Sequence, residues 1–76
     1  MPKTPRTTSL ARFGLNVRRR REALIFTQEK LAERAELDPS YISGIERGVR
    51  NPSLLSIVRV AAALDATASE LFSGVK

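Results

Sequence analysis

The fold is decided by residues 27–48, which read TQEKLAERAELDPSYISGIERG. Thr27 is a good residue to begin a helix. Asp38 followed by Pro39 is a strong start signal for a second one, because the aspartate accepts backbone N–H bonds and the proline ring loses no needed proton there. Gly48 suits the left-handed stop of that second helix. The stretch therefore predicts two short helices joined by a tight turn.

The second of these helices, at residues 39–47, separates two kinds of side chain. At about 100° per residue, Ile42 and Ile45 lie on one face, and Glu46 falls near their edge. The opposite side carries small and hydrogen-bonding residues, namely Ser40, Gly44 and Arg47, with Tyr41 and Ser43 at its flanks. On a basic chain, such a helix suits insertion into the major groove of DNA, with the Ser40, Tyr41 and Ser43 side chains discriminating bases.

Further helices surround this pair. Apolar residues at helical spacing stand at Leu10, Phe13, Val17 and Leu24 before it, and at Leu54, Ile57, Val60, Ala61 and Leu64 after it. Ser9 and Ser53 are the expected caps of those two helices. Residues 67–70 form a capping box that opens a short fifth helix. The pattern predicts an all-α, compact five-helix domain.

Residues 1–8 differ in composition from the rest, with two prolines, three threonines and two cations. We expect a flexible basic arm at 1–8 and one helix-turn-helix domain at 9–76, with the two-helix unit at about 28–47.

Composition excludes several function classes. The 76 residues contain no cysteine and no histidine, so disulfides and the usual zinc ligands are absent. There is no phosphate-binding glycine loop and no pair of carboxylates placed for a cleft, so no catalytic site, metal or cofactor is expected, and the chain is not expected to be an enzyme. No apolar run is long enough for a membrane span or signal peptide, which predicts a cytoplasmic protein.

The net charge of +5 is unevenly placed, at +6 for residues 1–24 and −1 for residues 25–76. This asymmetry favours a polyanionic partner that contacts the first third of the chain. The alternative is a solvated basic tail that aids solubility.

Four residues outside the base-reading set are candidate DNA contacts. Gln28, in the first turn of its helix, could hold a phosphate together with the free backbone N–H groups, or could merely cap that helix. Arg47 and Arg50 flank the end of the second helix and suit phosphate or guanine. Asn51 could bind the DNA backbone or shape its own loop.

Gly44 and Tyr41 each have two interpretations. A helical glycine costs about 1 kcal/mol relative to alanine, which favours close approach by a ligand over simple relief of crowding. Tyr41 could meet DNA or be a half-buried core residue.

Two further sets are structural. Glu46 beside an apolar face needs a cation, and Arg21 lies at the inner edge of the first helix, so an Arg21–Glu46 ion pair is expected. A second apolar stripe predicts a two-fold homodimer through Leu55, Val58, Arg59, Ala62, Leu71 and Phe72. The alternative is scattered surface aliphatic residues.

The chain resembles the Cro/C1-type (XRE) helix-turn-helix family of bacterial and phage regulators. The resemblance covers residues 13–72 and is carried by Phe13-Gly14, Arg18, Arg21-Glu22, TQEKLAERA, LDPSYISGIERGVRNPSL and AAALDATASELF. The middle segment is similar to restriction–modification controller proteins in YISGIER and the following Arg-Asn.

The resemblance implies a lambda-repressor-like domain that regulates transcription as a homodimer on a palindromic operator, in double-stranded DNA. It implies phosphate contacts at Gln28 and Arg47 and a groove-facing set at Pro39, Ser40, Tyr41, Ser43 and Gly44. An activator would also touch RNA polymerase; no small-molecule ligand is expected. The chain departs from the family at Arg20, at Pro39, and at Ile25 and Glu36, where glycine is common.

Two other functions compete with this one. The first is an antitoxin or other protein-interaction module, which would copurify with a second protein. The second is a non-specific nucleic-acid coat, for which random DNA would compete as well as selected DNA.

Overall fold

The computed structural model describes residues 6–76. Within that range the chain forms five α-helices and no strand: α1 Arg6–Ala23, α2 Gln28–Ala35, α3 Pro39–Glu46, α4 Leu54–Ala63 and α5 Ala68–Leu71. The predicted all-α, five-helix class is confirmed.

Helices α2 to α5 begin where the sequence places a cap. The side chains of Thr27, Asp38, Ser53 and Thr67 each accept a backbone N–H of the turn that follows. At α5 the Glu70 side chain also accepts the Thr67 N–H at 2.7 Å, which completes the predicted capping box. These bonds satisfy N–H groups that a helix start otherwise leaves unpaired.

Helix α1 begins earlier than expected. Ser9 does not cap it, because the helix already includes residues 6–8, and the Ser9 hydroxyl donates to the Lys76 carbonyl oxygen at the other end of the chain. Residues 6–8 contain neither proline nor glycine, so nothing in their sequence prevents this extension. The rest of the predicted arm, residues 1–5, lies outside the described residues.

The core follows the predicted apolar stripes. Its fully buried large side chains are Val17, Leu31, Ile42, Ile45, Val60, Leu64 and Leu71. The prediction that Leu54 belongs to the core is wrong, because the residue is 73% exposed. Leu54 is the first residue of α4 and lies at the edge of its inner stripe, where the helix end leaves the side chain exposed to solvent.

Helix α1 packs directly onto the backbone of α3 through Gly14. A Cβ at that position would overlap the carbonyl oxygen of Ile45, so only glycine permits this approach. At the end of α3 the chain turns through Gly48 at φ +74°, where a Cβ would also lie 2.8 Å from the Cα of Ala11. These two glycines set the distance between α1 and the helix-turn-helix unit.

Two arginine side chains bind the carboxyl end of α4. Arg20 donates to the carbonyl oxygens of Leu64 and Asp65 at 3.0 and 2.8 Å, and Arg34 donates to that of Ala63 at 3.1 Å. Cations at this position also suit the negative end of the α4 dipole.

Candidate nucleic-acid interface

Helix α3 has one buried side and one uncovered side. Ile42 and Ile45 are fully buried against the other helices, whereas Pro39, Ser40 and Arg47 are exposed. Helices α2 and α3 are separated by residues 36–38, and Glu36 takes the left-handed conformation at φ 58°. The arrangement presents the polar side of a short, rigid helix outward.

A largely buried ion pair fixes the end of α3 against α1. Arg21 Nε lies 2.6 Å from Glu46 Oε2 and its Nη2 lies 3.0 Å from Oε1, with the side chains 12% and 3% exposed. Arg21 Nη1 also donates to the Phe26 carbonyl oxygen at 2.7 Å. The hydrogen bond that Arg21 donates to Glu46 raises the pKa of Arg21 above its ordinary value. The expected pair is thus present, and it fixes α3 by two parallel hydrogen bonds.

Gln28 joins this ion pair. Its side-chain Nε2 donates to Glu46 Oε1 at 3.0 Å, so the amide is held at the start of α2 rather than turned toward its own helix. An amide NH₂ carries two protons, and this bond uses one of them. The other proton and the first-turn backbone N–H groups suit an anionic oxygen.

The start of α3 fixes the Ser40 hydroxyl. Asp38 Oδ1 accepts the Ser40 N–H at 2.8 Å and its Oγ–H at 2.6 Å. These two bonds lower the pKa of Asp38 below its ordinary value. Because the hydroxyl proton is given to Asp38, the Ser40 oxygen is left as an acceptor, which suits the amino groups of cytosine or adenine in the major groove.

Gly44 is not open to a ligand, and this prediction is wrong. The residue is buried, and a Cβ there would overlap Cγ of Arg50. The cause is the loop after α3, where the N–H groups of Val49 and Arg50 both donate to the Gly44 carbonyl oxygen, at 3.0 and 3.2 Å. The loop thereby folds back and lays the Arg50 stem over Gly44.

The remaining predicted contacts lie around this loop. The Arg50 guanidinium stands 5.4 Å from the ring centre of Tyr41, which is itself half-buried and packs against the core. Arg47 is exposed, with its Nε 3.3 Å from the hydroxyl of half-buried Ser43. Asn51 is exposed in the loop. The predicted residues from 39 to 51 thus lie on α3 and in the loop that follows it, whereas Gln28 lies at the start of α2.

Comparison with known proteins identifies the family. A family model described as Helix-turn-helix matches residues 17–71. The chain belongs to the helix-turn-helix family. Over 66 residues it is 41% identical to the control protein C.MunI of Mycoplasma sp, covering 86% of this chain and 89% of that protein. The family consists of DNA-binding transcription regulators, so the interpretation of this chain as a helix-turn-helix regulator that is similar to restriction–modification controller proteins is confirmed.

Solved structures of controller proteins share the fold of this helix-turn-helix protein. The restriction–modification controller protein C.AhdI from Aeromonas hydrophila superposes with a TM-score of 0.84 at 46% identity, covering 86% of this chain and 98% of that one. A tetramer of the controller protein C.Esp1396I in complex with its natural 35-base-pair operator gives a TM-score of 0.77 at 32% identity, with 87% of each chain covered.

Four arginines of α1 have partners within the protein. Arg12, Arg20 and Arg21 donate to protein groups, and Arg18 pairs with Glu22 at 3.0 Å. The Arg18–Glu22 pair is exposed, so the contact of a polyanion with the first third of the chain stays a prediction. The sequence predicted the partner of Arg21 but not those of Arg12 and Arg20, because these two bind backbone carbonyl oxygens of segments far away along the chain. Arg47 and Arg50, by contrast, project beside α3 and are exposed.

The predicted dimer surface is only partly exposed. Leu55, Val58, Arg59 and Ala62 are exposed on the outward side of α4. Leu71 is wrong as a surface residue, because it is 2% exposed and belongs to the core. Its neighbour Phe72 is partly exposed and packs against Phe13, with ring centres 5.2 Å apart and ring planes tilted by 38°.

Two features are absent from residues 6–76. No described helix is long and apolar enough to cross a membrane. No group of three or more acidic, histidine or cysteine side chains among those residues could hold a metal ion.

Proposed function

We propose that this protein is a sequence-specific transcription regulator of controller type, which binds a palindromic operator as a homodimer with α3 in the major groove. The observation that carries the proposal is the asymmetry of α3. Its apolar side is buried and its end is held by the Arg21–Glu46 pair, while Ser40 and Arg47 stay uncovered. A rigid element that presents polar groups suits base reading, because docking then costs little ordering. C.Esp1396I, which shares the fold, has been solved on operator DNA.

The candidate DNA contacts divide into base-reading and positioning groups. Ser40, Tyr41, Ser43 and Arg50 would read base edges, with Arg50 suited to guanine and the Pro39 ring suited to apolar contact with a thymine methyl. Gln28, Arg47 and Asn51 would bind the DNA backbone, which sets register without reading sequence. Each good base contact is worth about 1–3 kcal/mol of discrimination.

Dimerisation would place two α3 helices one turn of DNA apart, at about 34–36 Å. The surface for this is the α4 stripe of Leu55, Val58 and Ala62 together with Phe72, all of which are exposed. Val58→Glu introduces a charge at the centre of the stripe and is expected to give a monomer in sedimentation equilibrium with α-helical content unchanged. An unaltered dimer would locate the interface elsewhere. Contact with RNA polymerase remains a prediction for an activating role.

Selection of bound duplexes from random DNA tests the function. The expected result is a two-fold symmetric consensus, with the logarithm of the affinity falling against the logarithm of salt concentration by about 0.9 for each phosphate contacted. Ser43→Ala should change base preference, whereas Arg47→Ala should weaken all sites alike. Ser69→Ala, on exposed α5, is the matched control and should change neither. Equal competition by random and selected DNA would refute sequence-specific binding.

A further inference from the structure

Three observations place the Arg50 side chain across the outward side of α3. The Gly44 carbonyl oxygen accepts the N–H of Arg50, the missing side chain of Gly44 leaves room for the Arg50 stem, and the Tyr41 ring lies 5.4 Å from the guanidinium. A flexible arginine is thereby supported at its backbone, its stem and its head.

We propose that Gly44 and Tyr41 are positioning residues that orient Arg50 for DNA, so that the loop after α3 supplies the cation at the middle of the reading surface. This proposal rests on the proposed DNA-binding function, and it explains why position 44 is a glycine. Without the Tyr41 ring and the space left by Gly44, an exposed arginine samples many rotamers and must be ordered on binding. With them, the planar guanidinium is held before DNA arrives, which favours a contact of fixed geometry.

The geometry gives Gly44 a specific link to Arg50. A Cβ at position 44 would overlap Cγ of Arg50 but lies 3.4 Å from its Cβ, an ordinary contact. Gly44→Ala must therefore displace the Arg50 stem when Arg50 is present, and it fits when position 50 is alanine. The effect of the added methyl group on DNA binding should exist only in the presence of the arginine stem.

A double-mutant cycle with Gly44→Ala and Arg50→Ala tests this, with affinity measured on the duplex selected by the wild-type protein. Arg50→Ala is expected to lose about 5- to 150-fold, the range for a good base contact. Gly44→Ala should lose a comparable factor alone and almost nothing further in the Arg50→Ala background. Arg50→Lys keeps the charge and the aliphatic stem but not the planar guanidinium. A loss of affinity close to that of Arg50→Ala supports a contact of fixed geometry, whereas wild-type affinity would show simple attraction to phosphate and would count against the proposal. Losses that multiply in the double variant would overturn the proposal.

NMR spectra of the free protein report directly on the position of the Arg50 side chain, independently of the stability of the fold. The Tyr41 ring current should shift the Arg50 side-chain resonances upfield. Tyr41→Phe keeps the ring and should preserve the shift, while Tyr41→Leu and Gly44→Ala should abolish it. Unshifted resonances in the wild type would overturn the positioning roles.

The two proposals fail in different ways. If the wild-type protein does not prefer its selected duplex over random DNA, the proposed function fails. If it does, but Gly44→Ala binds like wild type or its loss persists without Arg50, only the positioning inference fails. Thermal unfolding of each variant, followed by circular dichroism, ensures that only folded proteins are compared.

Discussion

Deleting the Arg21–Glu46 ion pair should remove a large part of the stability of the fold. Both side chains are nearly buried, at 12% and 3% exposure, so removing one partner leaves the other charge with little access to water. Such deletions cost about 3–5 kcal/mol. For 76 residues at roughly 0.05–0.15 kcal/mol each, the total free energy of unfolding is about 4–11 kcal/mol. Arg21→Ala or Glu46→Ala therefore brings the protein close to unfolding.

The chain contains a matched control for burial. Arg18 and Glu22 pair at 3.0 Å with side chains 60% and 53% exposed, so the residue types are the same and only the solvent access and connectivity differ. An exposed pair one helical turn apart contributes about 0.3–0.5 kcal/mol. Urea unfolding of both double-mutant cycles should give a coupling energy above about 1 kcal/mol for Arg21–Glu46 and the smaller value for Arg18–Glu22.

Two results would refute this reasoning. One is additivity of the Arg21 and Glu46 deletions, and the other is equal coupling in the two pairs. If the alanine variants are too unstable to measure, Arg21→Lys and Glu46→Gln replace them. The lysine keeps the charge but loses the second parallel bond to Glu46 and the bond to Phe26, so it should lie between wild type and alanine.

Three smaller perturbations probe the turns and a cap. Ile25 is exposed at φ 59°, where a β-branched residue is strained by about 1–2 kcal/mol, so Ile25→Gly should raise the urea midpoint even after the entropy cost of glycine; a lower midpoint would contradict this. Gly48→Ala should lower the thermal midpoint, because φ is +74° and the new Cβ would lie 2.8 Å from Ala11; an unchanged midpoint would count against the close contact. The lowered pKa of Asp38 means that the unfolded state binds its proton more readily, so the charged cap stabilises the fold above about pH 4 and this is lost as pH falls through the folded pKa. The stability gap between wild type and Asp38→Asn should therefore be larger at pH 7 than at pH 3, and a constant gap would exclude the charge as the cause.

The features that the sequence predicted correctly depend on local rules. Cap residues such as Thr27 and Ser53 act on N–H groups two or three positions away, and the inward side of α3 follows from helical angles alone. The Arg21–Glu46 pair could also be predicted from the sequence, because each residue lies at the edge of an apolar stripe, where a lone charge needs a partner.

The features that were missed depend on how distant segments meet. Nothing local to α3 shows that Gly44 is covered, because the cover comes from Arg50 after the chain has reversed at Gly48. The exclusion of Leu71 from the dimer surface likewise depends on α1, where Asn16 donates to the Leu71 carbonyl oxygen at 2.8 Å and closes α5 onto the bundle. Periodicity could not assign this closure to a core role over a dimer role, since both require an apolar residue.

The contacts of Glu46 connect stability to DNA recognition. Its carboxylate accepts from Arg21 of α1 and from Gln28 of α2, while its own backbone ends α3. One side chain thus fixes the reading helix relative to the helix whose first turn is proposed to hold a phosphate. Glu46→Gln should let α3 shift relative to that phosphate contact. The affinity for DNA should therefore fall on every operator alike, even where the variant is still folded. A change at Ser43 leaves this junction intact, so its effect should be confined to base preference, and the contrast between the two separates the frame from the reading surface.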